Sequence, residues 1–259
     1  RVVAPEDLHD ALVEGGFFPA CCLTVRKAVL DEIGGLDETL RGNDDWELLL
    51  RLSRRRRVVG LARPLALHRE HSGGLSSNYE HMLQDNLLAV AKHFGGEEGV
   101  PTEWPEERRR AYAGAYFLSS VGHLLQGDTE LGCRRFSRSV MIYPPIAGRV
   151  STWYDIACSY QPKGWRGHAA SLDLARSERQ VNEVVAYVAR SALSSQADRS
   201  WMSHVQASAA LAIGLLAYQK GEMKVARRHL GRAVRLRPVL LFHHSLVSRY
   251  LKSLLGGRL

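Results

Sequence analysis

The chain has 259 residues, 45% of them hydrophobic and 24% charged, with a formal charge of +8. That composition excludes bulk disorder, a collagen-like chain and a disulfide-stapled mini-scaffold, and the length leaves room for one large or two modest hydrophobic cores. The longest apolar run, Ala209 to Tyr218, is far shorter than the ~18 residues of a membrane span.

No signal-like segment opens the chain, and position 1 is Arg, which reads as the start of a processed or truncated product. Glu6–Glu14 reads as a short helix after Pro5, ending at Gly15–Gly16. Phe17–Val25 is an apolar run of strand type, and Arg26–Ile33 is a helix stopped by Gly34–Gly35. Within the first run, Cys21 and Cys22 read as small buried hydrophobes of a reducing compartment, because adjacent cysteines rarely meet disulfide geometry. Asp44–Arg55 is an amphipathic helix. Asn43 or Asp44 can cap it, Glu47 can close a capping box, and Trp46, Leu49, Leu50 and Leu52 share its apolar face. Val58–Leu67 reads as extended around Pro64, 68–77 as a Gly/Ser loop, and Ser77–Phe94 as helix again.

Periodicity stops at 95–105, where Gly, Pro and Glu crowd together, and only helices follow: 105–126, Leu131–Ile142, Ala169–Leu193, Ser200–Gln219, Met223–Leu236 and Leu240–Leu255. Residues 115–144 align without a gap on 209–238, pairing Gly127 with Gly221, Phe136 with Leu230 and Pro144 with Pro238. Gly supplies the turn between two helices and Pro ends the second. The second copy resembles a tetratricopeptide unit, with Ile213–Gly214, Ala226, Leu230, Ala233 and Pro238 at that repeat's spacings.

Charge is uneven. Residues 1–40 carry −5 and residues 219–259 carry +9, so the basic excess belongs to the C-terminal helices. In Met223–Arg237 the cations fall between core positions, as on a solvated face, and Arg54–Arg57 follow a helix C-terminus, where cations are favoured. No aromatic interleaving accompanies these runs, and nucleic acid is not an expected partner. The amphipathic helix 240–255 reads as a bundle cap, with peripheral contact to an anionic membrane as the alternative.

Four landmarks follow one another in order. They are Phe17-Phe-Pro-Ala-Cys-Cys-Leu-Thr-Val-Arg-Lys-Ala, then Gly34-Gly-Leu-Asp-Glu, then Asn43-Asp-Asp-Trp-Glu-Leu-Leu-Leu-Arg-Leu, then Pro64-Leu-Ala-Leu-His-Arg-Glu-His-Ser. Over residues 17–77 this resembles the second half of the catalytic domain of family 2 glycosyltransferases. The resemblance implies an inverting transfer from a nucleoside-diphosphate sugar to an acceptor hydroxyl, with Asp45 as general base. It places Asp44 and Trp46 at the acceptor (a saccharide, lipid-linked or protein hydroxyl), Arg69 at the phosphates, and His71 near a divalent cation (Mg or Mn). Gly73 and Gly74 would let that loop close over the donor, whereas His68 departs from the family's usual Tyr.

The family's first half ends in an Asp-x-Asp metal motif, and no Asp-x-Asp or phosphate-binding glycine loop occurs here. The expected architecture is therefore an α/β portion at 1–96, the acceptor-side half of a nucleotide-diphospho-sugar transferase fold. An all-α bundle with tetratricopeptide-like hairpins would follow at 97–259. Such a chain is expected to be cytoplasmic, at the inner face of the membrane, to have most of its cation and uridine sites elsewhere, and not to turn over donor by itself. The competing expectation is a non-catalytic helical-repeat module that binds a protein partner.

Overall fold

A computed structural model describes residues 4–16, 19–61, 63, 65–68, 74–193, 199–242 and 244–254. Every regular element among them is helical, in α or 3-10 geometry. The expected α/β portion is thereby corrected: the described residues contain no strand. A strand needs a neighbour to exchange backbone hydrogen bonds with, and neither segment read as extended has one there. In the first, Ala20–Cys22 is a 3-10 turn closed by Cys22 N–H to the Pro19 carbonyl (2.9 Å) and Leu23 N–H to that of Ala20 (3.0 Å). Phe17, Phe18 and Pro64 lie outside the described residues. Cys21 and Cys22 are exposed, against the expectation of burial, while Cys133 and Cys158 are buried; all four are free thiols.

The chain divides into two compact units, Arg1–Ser119 and Ser120–Leu259. The first holds α1 (Leu8–Leu12), α2 (Lys27–Glu32), α3 (Asp44–Arg55), α4 (Tyr79–Phe94) and most of α5 (Glu106–Gln126), so the division falls inside α5. Leu8, Leu12, Leu49, Leu50, Leu83 and Val90 build the core of this unit, each at spacings that put it on the buried side of its helix. Its α5 segment lies close against the end of α1. Arg110 bridges Asp10 (2.5 Å) and Glu14 (2.8 Å), and a Cβ on Gly114 would overlap the Glu14 backbone carbonyl.

The second unit is built on the repeat. In the first copy, Ser120 of α5 donates its hydroxyl to the Gly132 carbonyl of α6 (Thr129–Ile142) at 2.7 Å, and Gly132 sits against Leu124. In α9 (Arg199–Lys220) and α10 (Met223–Leu236), Gly214 sits against Leu230 instead. The turns match bond for bond. Asp128 N–H reaches the His123 carbonyl (3.0 Å), as Glu222 N–H reaches that of Ala217 (2.9 Å), and the two turn glycines have φ +85° and +83°. Both copies continue into five-residue 3-10 helices, Pro144–Gly148 and Pro238–Phe242, and then into α7 (Val150–Ala157) and α11 (His244–Leu254). The repeat thus extends one helix beyond the aligned sequence. Between the copies, α8 (Leu174–Leu193) closes the end of α7: Gln180 donates to the Ile156 carbonyl (2.7 Å) and Ser177 to that of Ala157 (2.8 Å). No helix among the described residues is long and apolar enough to cross a membrane.

Two glycines make opposite demands. A Gly114→Ala variant must push apart α5 and the end of α1, which costs about 1–3 kcal/mol. Gly221 has open space around it, so Gly221→Ala costs only the left-handed strain, about 1–2 kcal/mol. Urea melts of the two variants check this: a small compensating rearrangement rescues Gly114→Ala only if α5 can shift, whereas Gly221→Asn recovers part of its loss because Asn tolerates the left-handed region.

Candidate functional site

Asp44 and Asp45 sit at the start of α3, and three ties hold that start in place. Asn43 adopts φ +58°, the one positive φ outside glycine among the described residues. Its side chain does not cap the helix as expected; it donates to Asn86 Oδ1 (2.8 Å) on α4. The loop before it is bound at Asp37, whose carboxylate accepts from Lys92 Nζ (2.5 Å) and from the Thr39 hydroxyl (2.7 Å). Those two hydrogen bonds, Lys92 first, hold the Asp37 carboxyl down at about 2.

The third tie is a buried ion cluster. Glu47 is 3% exposed and does not reach back to the helix start, so the capping-box expectation is corrected. Its carboxylate instead takes Arg51 Nε (2.8 Å) and Nη2 (2.6 Å) and lies 2.8 Å from His93 Nε2. Arg51 then donates to the Ile33 and Gly35 carbonyls, each at 2.7 Å, so one guanidinium fastens the Gly34–Gly35 turn to α3. Burial pushes the Glu47 carboxyl upward, but the His93 and Arg51 hydrogen bonds outweigh it and leave it below its ordinary value. The Glu47–Arg51 spacing of four was visible in the sequence; the pairing with His93, 46 positions away, carried no local signal.

On this frame Asp44 and Asp45 are both partly exposed. Asp45 Oδ1 accepts the Trp46 backbone N–H (2.7 Å). Burial is the largest influence on the Asp45 carboxyl; with the neighbouring Asp44 charge it raises the carboxyl above its ordinary value, against the Trp46 and Ala20 backbone N–H groups. The arrangement is a half-desolvated carboxylate with a raised proton affinity, next to a second acid, on a rigid helix start.

Trp46 does not join that surface. It is 3% exposed, and its indole N–H donates to the Leu12 carbonyl (2.8 Å), so the ring ties α3 to α1 and offers no face to a sugar. The apolar face read from the sequence is what the ring serves. Arg69, His71 and Gly73 lie outside the described residues, and His68 is exposed. Among the described residues no group of three or more His, Cys, Asp and Glu side chains could hold a metal ion.

The second unit carries a groove between α8, α9 and α10, lined by Glu178, Asn182, Gln206, His229 and Arg232. His229 Nε2 lies 3.0 Å from Glu178 Oε1, while Nδ1 is buried without a hydrogen-bond partner. Burial pulls the His229 imidazole down despite the Glu178 hydrogen bond, favouring the neutral ring. Compared with models of known families, with curated proteins and with solved structures, the chain matches none.

Proposed function

We propose that this chain supplies the acceptor-activating base of an inverting sugar transfer from a nucleoside-diphosphate donor. The observation that carries the reading is Asp45, a half-buried carboxylate of raised proton affinity held on a braced helix start. The support is the order of motifs over residues 17–77 together with this placement, and not the fold, which shows no strand of the implied sheet among the described residues. An acceptor hydroxyl is a weak nucleophile. A carboxylate within hydrogen-bond reach takes its proton as the new bond to the anomeric carbon forms, and attack opposite the leaving diphosphate inverts that carbon. Asp44 raises the affinity of Asp45 for that proton through its own charge. The test is transfer from a panel of labelled nucleoside-diphosphate sugars by the full-length parent protein that the resemblance implies, wild type against Asp45→Asn.

A second reading, a helical module that binds a protein partner, is favoured by the α8–α10 groove and its unpartnered His229 Nδ1. The two readings separate on one measurement, because a binding module is indifferent to Asp45.

A further inference from the structure

The surface that neither reading uses is the segment following α3. Arg55 and Arg57 are exposed, and just beyond them Val59, Leu61, Leu65 and Leu67 are 69%, 74%, 66% and 100% exposed. Scattered surface hydrophobes are ordinary; four so exposed within nine positions, with no described element covering them, make an apolar stretch. The neighbouring arginines divide into two kinds. Arg56 is paired with Glu32, and Arg54 lies 3.6 Å from Glu107 and over the Phe94 ring. Arg55 and Arg57, and Arg63 within the apolar stretch, carry no ion pair among the described residues.

We infer that Arg55, Arg57, Val59, Leu61, Arg63, Leu65 and Leu67 form a docking surface for an anionic lipid bilayer, with the free arginines at the headgroups and the aliphatic side chains at the acyl boundary. Charge and apolar character are interleaved on one exposed stretch, which is the combination an anionic interface rewards on both counts. Arginine stems can lie along the apolar zone while the guanidinium stays with phosphate. The depth is interfacial and not spanning: the described residues of 57–67 make no backbone hydrogen bonds among themselves, and hydrocarbon would not satisfy those groups. Nucleic acid would use the charge but give the aliphatic side chains nothing, and no aromatic ring stands among them to stack on a base. This inference is independent of the sugar-transfer reading.

The test is co-sedimentation of the whole chain with phosphatidylcholine vesicles, with and without about 30% phosphatidylglycerol. Binding is expected only with the anionic lipid, and weakens as salt rises from about 0.1 to about 0.5 M. Each cation near an anionic surface is worth roughly five-fold in affinity, so Arg55→Glu/Arg57→Glu loses at least about 25-fold. Leu61→Asn/Leu67→Asn also loses most of the binding, and helical circular dichroism stays unchanged in both because every altered side chain is exposed. Leu241→Asn/Phe242→Asn, at exposed positions after α10, retains binding. The inference is overturned if wild type ignores anionic vesicles, if neutral vesicles bind equally, if only the 241/242 variant loses binding, or if a DNA duplex binds while vesicles do not.

Discussion

Asp45→Asn is expected to lower sugar transfer by about 10²–10⁴-fold, the usual worth of a positioned general base, without unfolding the protein. Asn keeps an oxygen where Asp45 Oδ1 accepts the Trp46 N–H, so the helix start survives while the proton acceptor is gone. The pH dependence gives a second readout with a definite sign. A base works in its ionised form, and the raised affinity of Asp45 for its proton places the acid limb of the rate profile above the ordinary carboxylate range. Asp44→Asn removes a like charge that helps to raise Asp45, so the acid limb moves to lower pH while the plateau rate is largely kept. Unchanged transfer in Asp45→Asn would refute the sugar-transfer reading and leave the groove-based one standing.

Glu47→Ala is expected to be the most destabilising single change in the first unit, at about 3–5 kcal/mol, because it strands Arg51 and His93 beside a buried site. That is a large part of the ~5–15 kcal/mol that holds an ordinary domain together. The loss comes from the unpaired partners more than from the pair itself, so Glu47→Met/Arg51→Met costs less than the sum of its two single changes. The sign with pH follows from the lowered Glu47 carboxyl. Its contribution is complete above the unfolded carboxylate value of roughly 4.3 and is lost as pH falls through the lower folded value. Protection factors across 33–55, which correct for the intrinsic slowing of amide exchange in acid, should therefore fall on acidification in wild type and respond far less in Glu47→Ala. An equal acid response in the two would show that other carboxylates carry the effect.

Much of this frame could be read from the chain, and the failures have physical causes. The bounds of α3 and α10 follow from strong amphipathic patterns with clear stops, and the matched Gly turns and Pro ends mark the hairpin repeat. The strand reading at 17–25 failed because β-branched and apolar composition signals burial or strand without naming a partner, and no partner is present among the described residues. Helix α7 is only eight residues long and offers little periodicity to read. Burial of Trp153 and Ile156, with α8 side chains taking the last carbonyls, makes the helix. At the site, the place of Asp45 in the first turn of a helix was legible from the turn before it. The burial of Trp46 was legible from periodicity, and the resemblance drew the ring toward the acceptor against that periodicity. The Arg51 grip on the Ile33 and Gly35 carbonyls depends on a loop returning to a helix, which spacing alone does not reveal.

The contrast between the ion cluster and the hairpins also sets an order in time. Gly214 meets Leu230 across 16 positions, whereas Glu47 meets His93 across 46. Closing the longer loop costs about 1 kcal/mol more chain entropy, before any buried charge is repaid by its partner. Within the second unit the hairpin is the element able to form early; within the first, the cluster is a late lock. Stopped-flow measurements should then find that Gly221→Ala mainly slows refolding, while Glu47→Ala mainly speeds unfolding. The feature that braces the proposed base would thus govern how long the first unit stays folded more than how quickly it gets there.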